Sequence, residues 1–164
     1  MYNQSYELAV LIISEIFYIA ALGILFKKAN IKGWKAFIPI YNEYTMSAFC
    51  SLKKQFWIST VLGFSSIALF YGSIIMFMRS FLSSLNKYYQ RTYVDDIPVI
   101  MFLLGFLILL ITLYIKSYIN YKFIGFFTTS KSLKILGAIG VFLPMVNVIV
   151  LLIVGLKQKE LRVP

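Results

Sequence analysis

The sequence predicts an all-α, polytopic membrane protein: four transmembrane helices plus an amphipathic or re-entrant helix after the first span. Three observations carry that expectation. Of 164 residues, 60% are hydrophobic and only 13% charged, whereas a soluble domain is about half apolar and about a quarter charged. Four apolar runs, 8–26, 56–78, 97–115 and 135–156, match the roughly 20 helical residues that a ~30 Å hydrocarbon core requires. The runs do not alternate in polarity, which argues against a β-barrel, and lipid offers the backbone no partner outside a helix. A single integral membrane domain over 1–164 accounts for the whole length, with no room for a separate soluble domain.

Each element has its own justification. The first run contains Glu15, lacks Lys and Arg on its N-terminal flank, and is followed by a basic loop where a cleavage site would lie; it reads as a retained span, not a signal peptide. The segment 33–52, GWKAFIPIYNEYTMSAFCSL, holds Lys35, Asn42 and Glu43 and is too polar to face lipid on all sides. Trp34, Phe37, Ile38, Tyr41, Thr45, Ala48 and Phe49 nevertheless recur at helical spacing. Pro39 disfavours a straight helix through this stripe, so a kinked interfacial helix or a shallow re-entrant hairpin is expected. The second, third and fourth runs carry no charge. Tyr6, Trp57, Tyr118 and Tyr121 flank the spans as interfacial anchors.

Charge sets the direction. Lys27, Lys28, Lys32, Lys35, Lys53 and Lys54 follow the first run, and Lys116, Lys122, Lys131 and Lys134 follow the third. Fewer basic residues occupy the middle loop (Arg79, Lys87, Arg91) and the tail (Lys157, Lys159, Arg162). The excess places the Lys-rich loops in the cytoplasm and both termini outside a bacterial cytoplasmic membrane. The net charge of +10 is thereby a matter of membrane orientation, and nucleic acid is not expected as a partner. The lipid bilayer and a protein partner or second copy within it are.

A short echo links two parts of the chain. Phe37-Ile38-Pro39-Ile40-Tyr41-Asn42 and Phe142-Leu143-Pro144-Met145-Val146-Asn147 share the pattern F-[I/L]-P-[I/M]-x-N, each after a span and a Lys-rich connection. A parallel internal repeat and chance likeness between apolar segments both account for it.

Lys27-Lys28-Ala29 followed by Gly33, Trp34, Pro39, Tyr41, Asn42 and Tyr44 resembles the signature G-W-x-A-x-I-P-x-Y-N-x-Y of a widespread bacterial family of small, uncharacterised multi-pass membrane proteins. The stretch 121–156, with Phe123, Phe126-Phe127, Gly137, Gly140 and Leu143-Pro144, is similar to that family's second half. The resemblance implies a multi-pass topology. The middle departs from the family, since the second run has no Pro and a longer loop with Asp95-Asp96 follows. Some relatives are labelled signal-peptidase-associated. That activity is not expected here: Lys116 and Lys122 fall on the predicted cytoplasmic side, and no catalytic domain orients Ser80, Ser83 or Ser84.

Composition excludes further chemistry. The chain has no His and one Cys, which removes Ser-His and Cys-His catalysis, thiolate cages and internal disulfides. Asp95-Asp96 are too few to hold a divalent cation. No cofactor and no enzymatic activity are expected. Glu15, the ionisable residue inside a span, forms with Tyr18 and Asn147 a candidate intramembrane polar site, either a proton or cation site or structural glue. Ser59, Gly63 and Ser66 in the second run, and Gly137, Gly140, Pro144 and Asn147 in the fourth, form small-residue faces expected to pack on each other or on a partner. The leading functional expectation is an accessory or interaction subunit of an export, transport or envelope complex. A small oligomeric transporter or channel using Glu15 and Asn147 is the alternative, and a bacteriocin-immunity protein the third.

Overall fold

A computed structural model describes residues 4–85 and 96–157, all helical apart from short connections. The order is α1 (Gln4–Lys28), the 3-10 helix η1 (Gly33–Phe37), α2 (Pro39–Phe49), α3 (Lys53–Leu85), α4 (Ile97–Phe127), α5 (Lys131–Ile139) and α6 (Pro144–Lys157). Three stretches, Leu8–Lys28, Lys53–Leu82 and Ile97–Phe127, are long and apolar enough to cross a membrane. Lys87, Arg91 and Asp95 of the middle loop, and Lys159 and Arg162 of the tail, lie outside the described residues.

Amphipathicity runs inside out. α2 buries Asn42, Thr45 and Ser47 while Ile38 and Ile40 at its start are exposed. Ser59, Ser66, Ser73 and Thr112 are buried, and Phe64, Ile67, Ile74 and Phe77 are exposed. The buried hydroxyls return their hydrogens to their own helices: Thr45 to the Tyr41 carbonyl, Ser66 to Gly63, Thr112 to Ile108. A water-soluble fold does the reverse; polar contacts inside and aliphatic groups outside suit lipid as solvent.

The chain divides into two compact units, Met1–Phe56 with Ile115–Pro164, and Trp57–Tyr114. In the second, α3 from Trp57 and α4 up to Tyr114 form an antiparallel pair. A Cβ on Gly63 would lie 3.7 Å from Thr112, and one on Gly105 would lie 3.2 Å from Leu69 and 3.4 Å from the Ser66 carbonyl. Phe70 meets Phe102 edge-on at 5.2 Å. Gly63 and Ser66 of the second run's small-residue face therefore lie against α4.

The first unit repeats one arrangement twice: a long helix followed by a short helix that folds back along it and a Pro-started helix that returns. η1 folds back on α1, since a Cβ on Gly33 would meet the Lys27 side chain at 3.3 Å and the Gly23 carbonyl at 3.6 Å. α5 folds back on α4, with Lys134 beside Gly125 and Gly137 against Ile124. Ile38 separates η1 from α2, and residues 140–143 separate α5 from α6. Pro39 and Pro144 each stand first in the returning helix, where a missing N–H costs nothing and φ is already set. The faint echo in sequence thus marks the same point in two hairpins.

Two expectations need correction. The fourth apolar run is not one helix, because Pro144 cannot continue the ladder from Gly140 and Leu143 before it is pushed out of helical geometry. A Cβ on Gly140 would fall 2.8 Å from Asn147 Cα, so the turn closes only with glycine there. The third run also does not end at residue 115; α4 continues through Lys116, Asn120 and Lys122 to Phe127.

The first unit's core is aliphatic around a cluster of phenylalanines. Phe26 meets Phe123 edge-on at 6.0 Å, and Phe49 packs against Phe123, Phe126 and Phe127. Both hairpins leave this layer and return to it.

Candidate functional site

The polar groups of the first unit gather where the hairpins meet α4. Lys116 donates to Glu43 Oε1 at 2.9 Å, joining α4 to α2. One turn on, Asn120 Nδ2 donates to the Gly137 carbonyl at 2.7 Å and to Asn147 Oδ1 at 2.9 Å, joining α4 to α5 and α6. At 3.6 residues per turn, Lys116, Ser117 and Asn120 fall within about 100° of one another on α4. Ser117 Oγ and Asn120 Oδ1 are buried with no hydrogen-bond partner among the described residues. Buried groups of this kind are ordinarily satisfied. These two leave one hydroxyl and one acceptor one turn apart on the same helix.

Depth follows from the aromatic layer. Lys116 precedes Phe123 by roughly 10 Å along α4, and Tyr18 precedes Phe26 by roughly 12 Å along α1, at 1.5 Å per residue. Tyr18 is the midpoint of the apolar segment Leu8–Lys28 and lies within electrostatic reach of Glu43 and Glu15. The Lys116–Glu43 pair is therefore level with the middle of a helix long enough to cross a membrane. It is not fully enclosed: the two side chains are 34% and 42% exposed.

Of the trio expected from sequence, only part comes together. Asn147 is buried, but its carbonyl oxygen takes its hydrogen from Asn120. Tyr18 adjoins the site through Glu43. Glu15 is exposed among Ile12, Ile13, Ile16 and Phe17, all about half exposed or more, and no bond joins it to Asn147 among the described residues. Glu43, Lys116, Ser117 and Asn120 were missed as site residues. Their signal was present: Lys116-Ser117-x-x-Asn120 at helical spacing directly after an apolar run, which ending the span at residue 115 assigned to a loop.

The G-W…N-x-Y residues are internal to the first hairpin. Trp34 stacks on Tyr41 (5.8 Å, 9°) and Lys35 sits 5.4 Å over the Tyr41 ring. Asn42 Nδ2 donates to the Ala36 carbonyl at 3.2 Å, tying α2 back to η1. Tyr44 meets Phe56 edge-on at 5.4 Å. Gly33 permits the close approach to Gly23. At the hairpin's base, burial pushes the Cys50 thiol up to about 12 despite the opposing charge of Lys122, so it stays a protonated thiol at neutral pH.

No protein family, curated protein or solved structure matches the chain.

Proposed function

We propose that this protein is a non-enzymatic carrier or channel of a bacterial cytoplasmic membrane that moves a proton or small cation through the polar layer of its first unit. The observation that carries this reading is the Lys116–Glu43 pair, partly exposed yet level with the middle of α1. Ionisable groups at that depth are costly; they pair or line hydrated cavities and mark ion pathways. Their setting supports it further. Small transporters place such sites where interrupted helices from two repeats meet, and α2 and α6 are the interrupted helices of two matching hairpins.

Glu43 supplies the carboxylate of the path, with Lys116 as counter-charge and Tyr18 as a hydroxyl nearby; Ser117, Asn120 and Asn147 continue it toward α6. This keeps Asn147 from the sequence-based site and replaces Glu15 with Glu43. The accessory-subunit reading rests on the absence of catalytic groups, on small-residue helix faces and on the amphipathic segment 33–52 as a docking surface. Gly63 lies against Thr112, which leaves less of the second run's small-residue face for a partner. Likeness to the G-W-x-A-x-I-P-x-Y-N-x-Y proteins supports a multi-pass membrane setting and is neutral about cargo.

Purified protein in proteoliposomes enclosing a pH-sensitive dye tests the reading. The parent protein is expected to dissipate an imposed proton gradient, Glu43→Gln to abolish that flux, and Glu15→Gln to leave it. A parent without flux of protons or monovalent cations, or loss with Glu15→Gln alone, contradicts it.

A further inference from the structure

We propose that both hairpins, η1–α2 and α5–α6, enter the bilayer from the Lys28 side and turn back within it, so that their tips contact lipid hydrocarbon and the chain leaves α6 on the side from which α5 began. The protein then has three spans, and its two ends lie on opposite sides of the membrane. This holds whether or not the polar layer conducts.

The direction of α6 is the first argument. The Lys28 amine donates to the Gly155 carbonyl, and a Cβ on Gly155 would lie 3.4–3.9 Å from Ile24 and Leu25. The C-terminal ends of α1 and α6 therefore lie together. At its other end Asn147 sits on Asn120, one turn before the Phe123 ring that touches Phe26. α6 thus runs in the same direction as α1 and α4. α2 does likewise, since Glu43 meets Lys116 and Phe49 meets Phe123 to Phe127. A fourth span in sequence order would have to run the opposite way.

Length is the second argument. The 14 residues of α6 extend about 21 Å at 1.5 Å per residue, short of the ~30 Å hydrocarbon core.

The tips are the third. Phe37 and Ile38 are 69% and 47% exposed, and Phe142 and Leu143 are 53% and 54% exposed. These are matching positions of the repeated motif, and in both copies the motif's Asn is buried beneath them. Large apolar side chains held outward above a buried polar tie fit hydrocarbon as their surroundings.

Charge completes the case. With α6 returning, Lys157 at its end and Lys159 and Arg162 beyond it join Lys27, Lys28, Lys32, Lys53, Lys54, Lys122, Lys131 and Lys134 on the Lys-rich side. Only Arg79, Lys87 and Arg91 remain opposite. The tail, which opposes the orientation rule in a four-span scheme, then obeys it.

Single cysteines at Ile38 and Leu143 in a Cys50→Ser background, spin-labelled in vesicles of phosphatidylcholine and phosphatidylglycerol, test the proposal. Both labels are expected to collide freely with oxygen and be shielded from a water-soluble nickel complex. An impermeant maleimide is expected to reach Lys32→Cys and Lys157→Cys from the same face of the membrane. Nickel access at either tip, spin–spin broadening from a second copy covering the tips, or labelling of the two lysine positions from opposite faces overturns it. The maleimide arm reads sidedness even where a tip variant packs poorly.

Discussion

Asn120 ties three helices of the first unit together, and its chemistry explains how. One amide nitrogen supplies both hydrogens of Nδ2, to a carbonyl on α5 and to an amide on α6, while its own oxygen has no partner among the described residues. Asn120→Leu preserves approximate volume but strands the Gly137 carbonyl and Asn147 Oδ1. Each buried unpaired group costs about 1–3 kcal/mol, so this variant should unfold markedly earlier than the parent in denaturant titrations in detergent micelles. Glu15→Gln, on an exposed position, should leave the transition unmoved. A residue that merely filled space would give the opposite ranking.

Glu15 also marks the limit of residue-level reading. It drew attention because it is charged within an apolar run. Whether such a residue faces neighbours or lipid depends on which helices flank it, and that is decided far away in the chain. Glu43, by contrast, reads in sequence as a polar position of the amphipathic segment and Lys116 as a loop charge; α2 and the continuation of α4 bring them together.

At the scale of elements, helix ends were the least legible feature and proved the most consequential. Hydropathy finds where lipid contact ends, not where the hydrogen-bonded ladder ends. Lys116 to Lys122 are tolerated by a helix, so α4 continues into the hairpins. The proline in F-L-P-M-V-N carries the same signal as the one in F-I-P-I-Y-N: a missing donor, a restricted preceding residue and a natural first position for a new helix. Applied to both copies, that rule locates the α5–α6 break from sequence alone. The existence of long apolar helices was fully legible; the fold-back of the short ones was not, because it rests on contacts at Gly23, Gly33, Gly137 and Gly140.

The terminations of α1 and α2 are also alike. Ile31 N–H reaches the Phe26 carbonyl and Asn30 N–H reaches Lys27; Leu52 reaches Ser47 and Ser51 reaches Ala48. Both are Schellman caps, with the second residue past the helix at φ 54° (Asn30) and 59° (Ser51). This backbone region suits glycine and, less well, Asn. Ser51 has neither advantage, so Ser51→Gly should stabilise the base of the first hairpin by about 0.5–1 kcal/mol. A rise in thermal midpoint in detergent would register it; Ser51→Val should lower the midpoint.

For the whole molecule, the physical logic is that of lipid as solvent. Hydroxyls and amides turn inward and are tied to carbonyls, aliphatic groups face outward, and small residues set how closely helices approach. Composition alone makes that solvent legible, with 60% hydrophobic residues and 13% charged. The doubling of one unit, span then hairpin, was visible only as six matching residues. It became physical through the shared direction of α1, α2, α4 and α6 around a polar layer.

That shared direction is the claim on which both the conducting layer and the returning tail depend. Its most direct test is a disulfide in native membranes between Ile24→Cys and Gly155→Cys in a Cys50→Ser background. A Cβ on Gly155 would lie 3.9 Å from that of Ile24, within the 3.5–4.5 Å span a disulfide bridges. Oxidation is expected to close this bond and to leave Val10→Cys with Gly155→Cys unpaired. If the Val10 pair closes and the Ile24 pair does not, α6 runs against α1, and the two-hairpin arrangement is wrong.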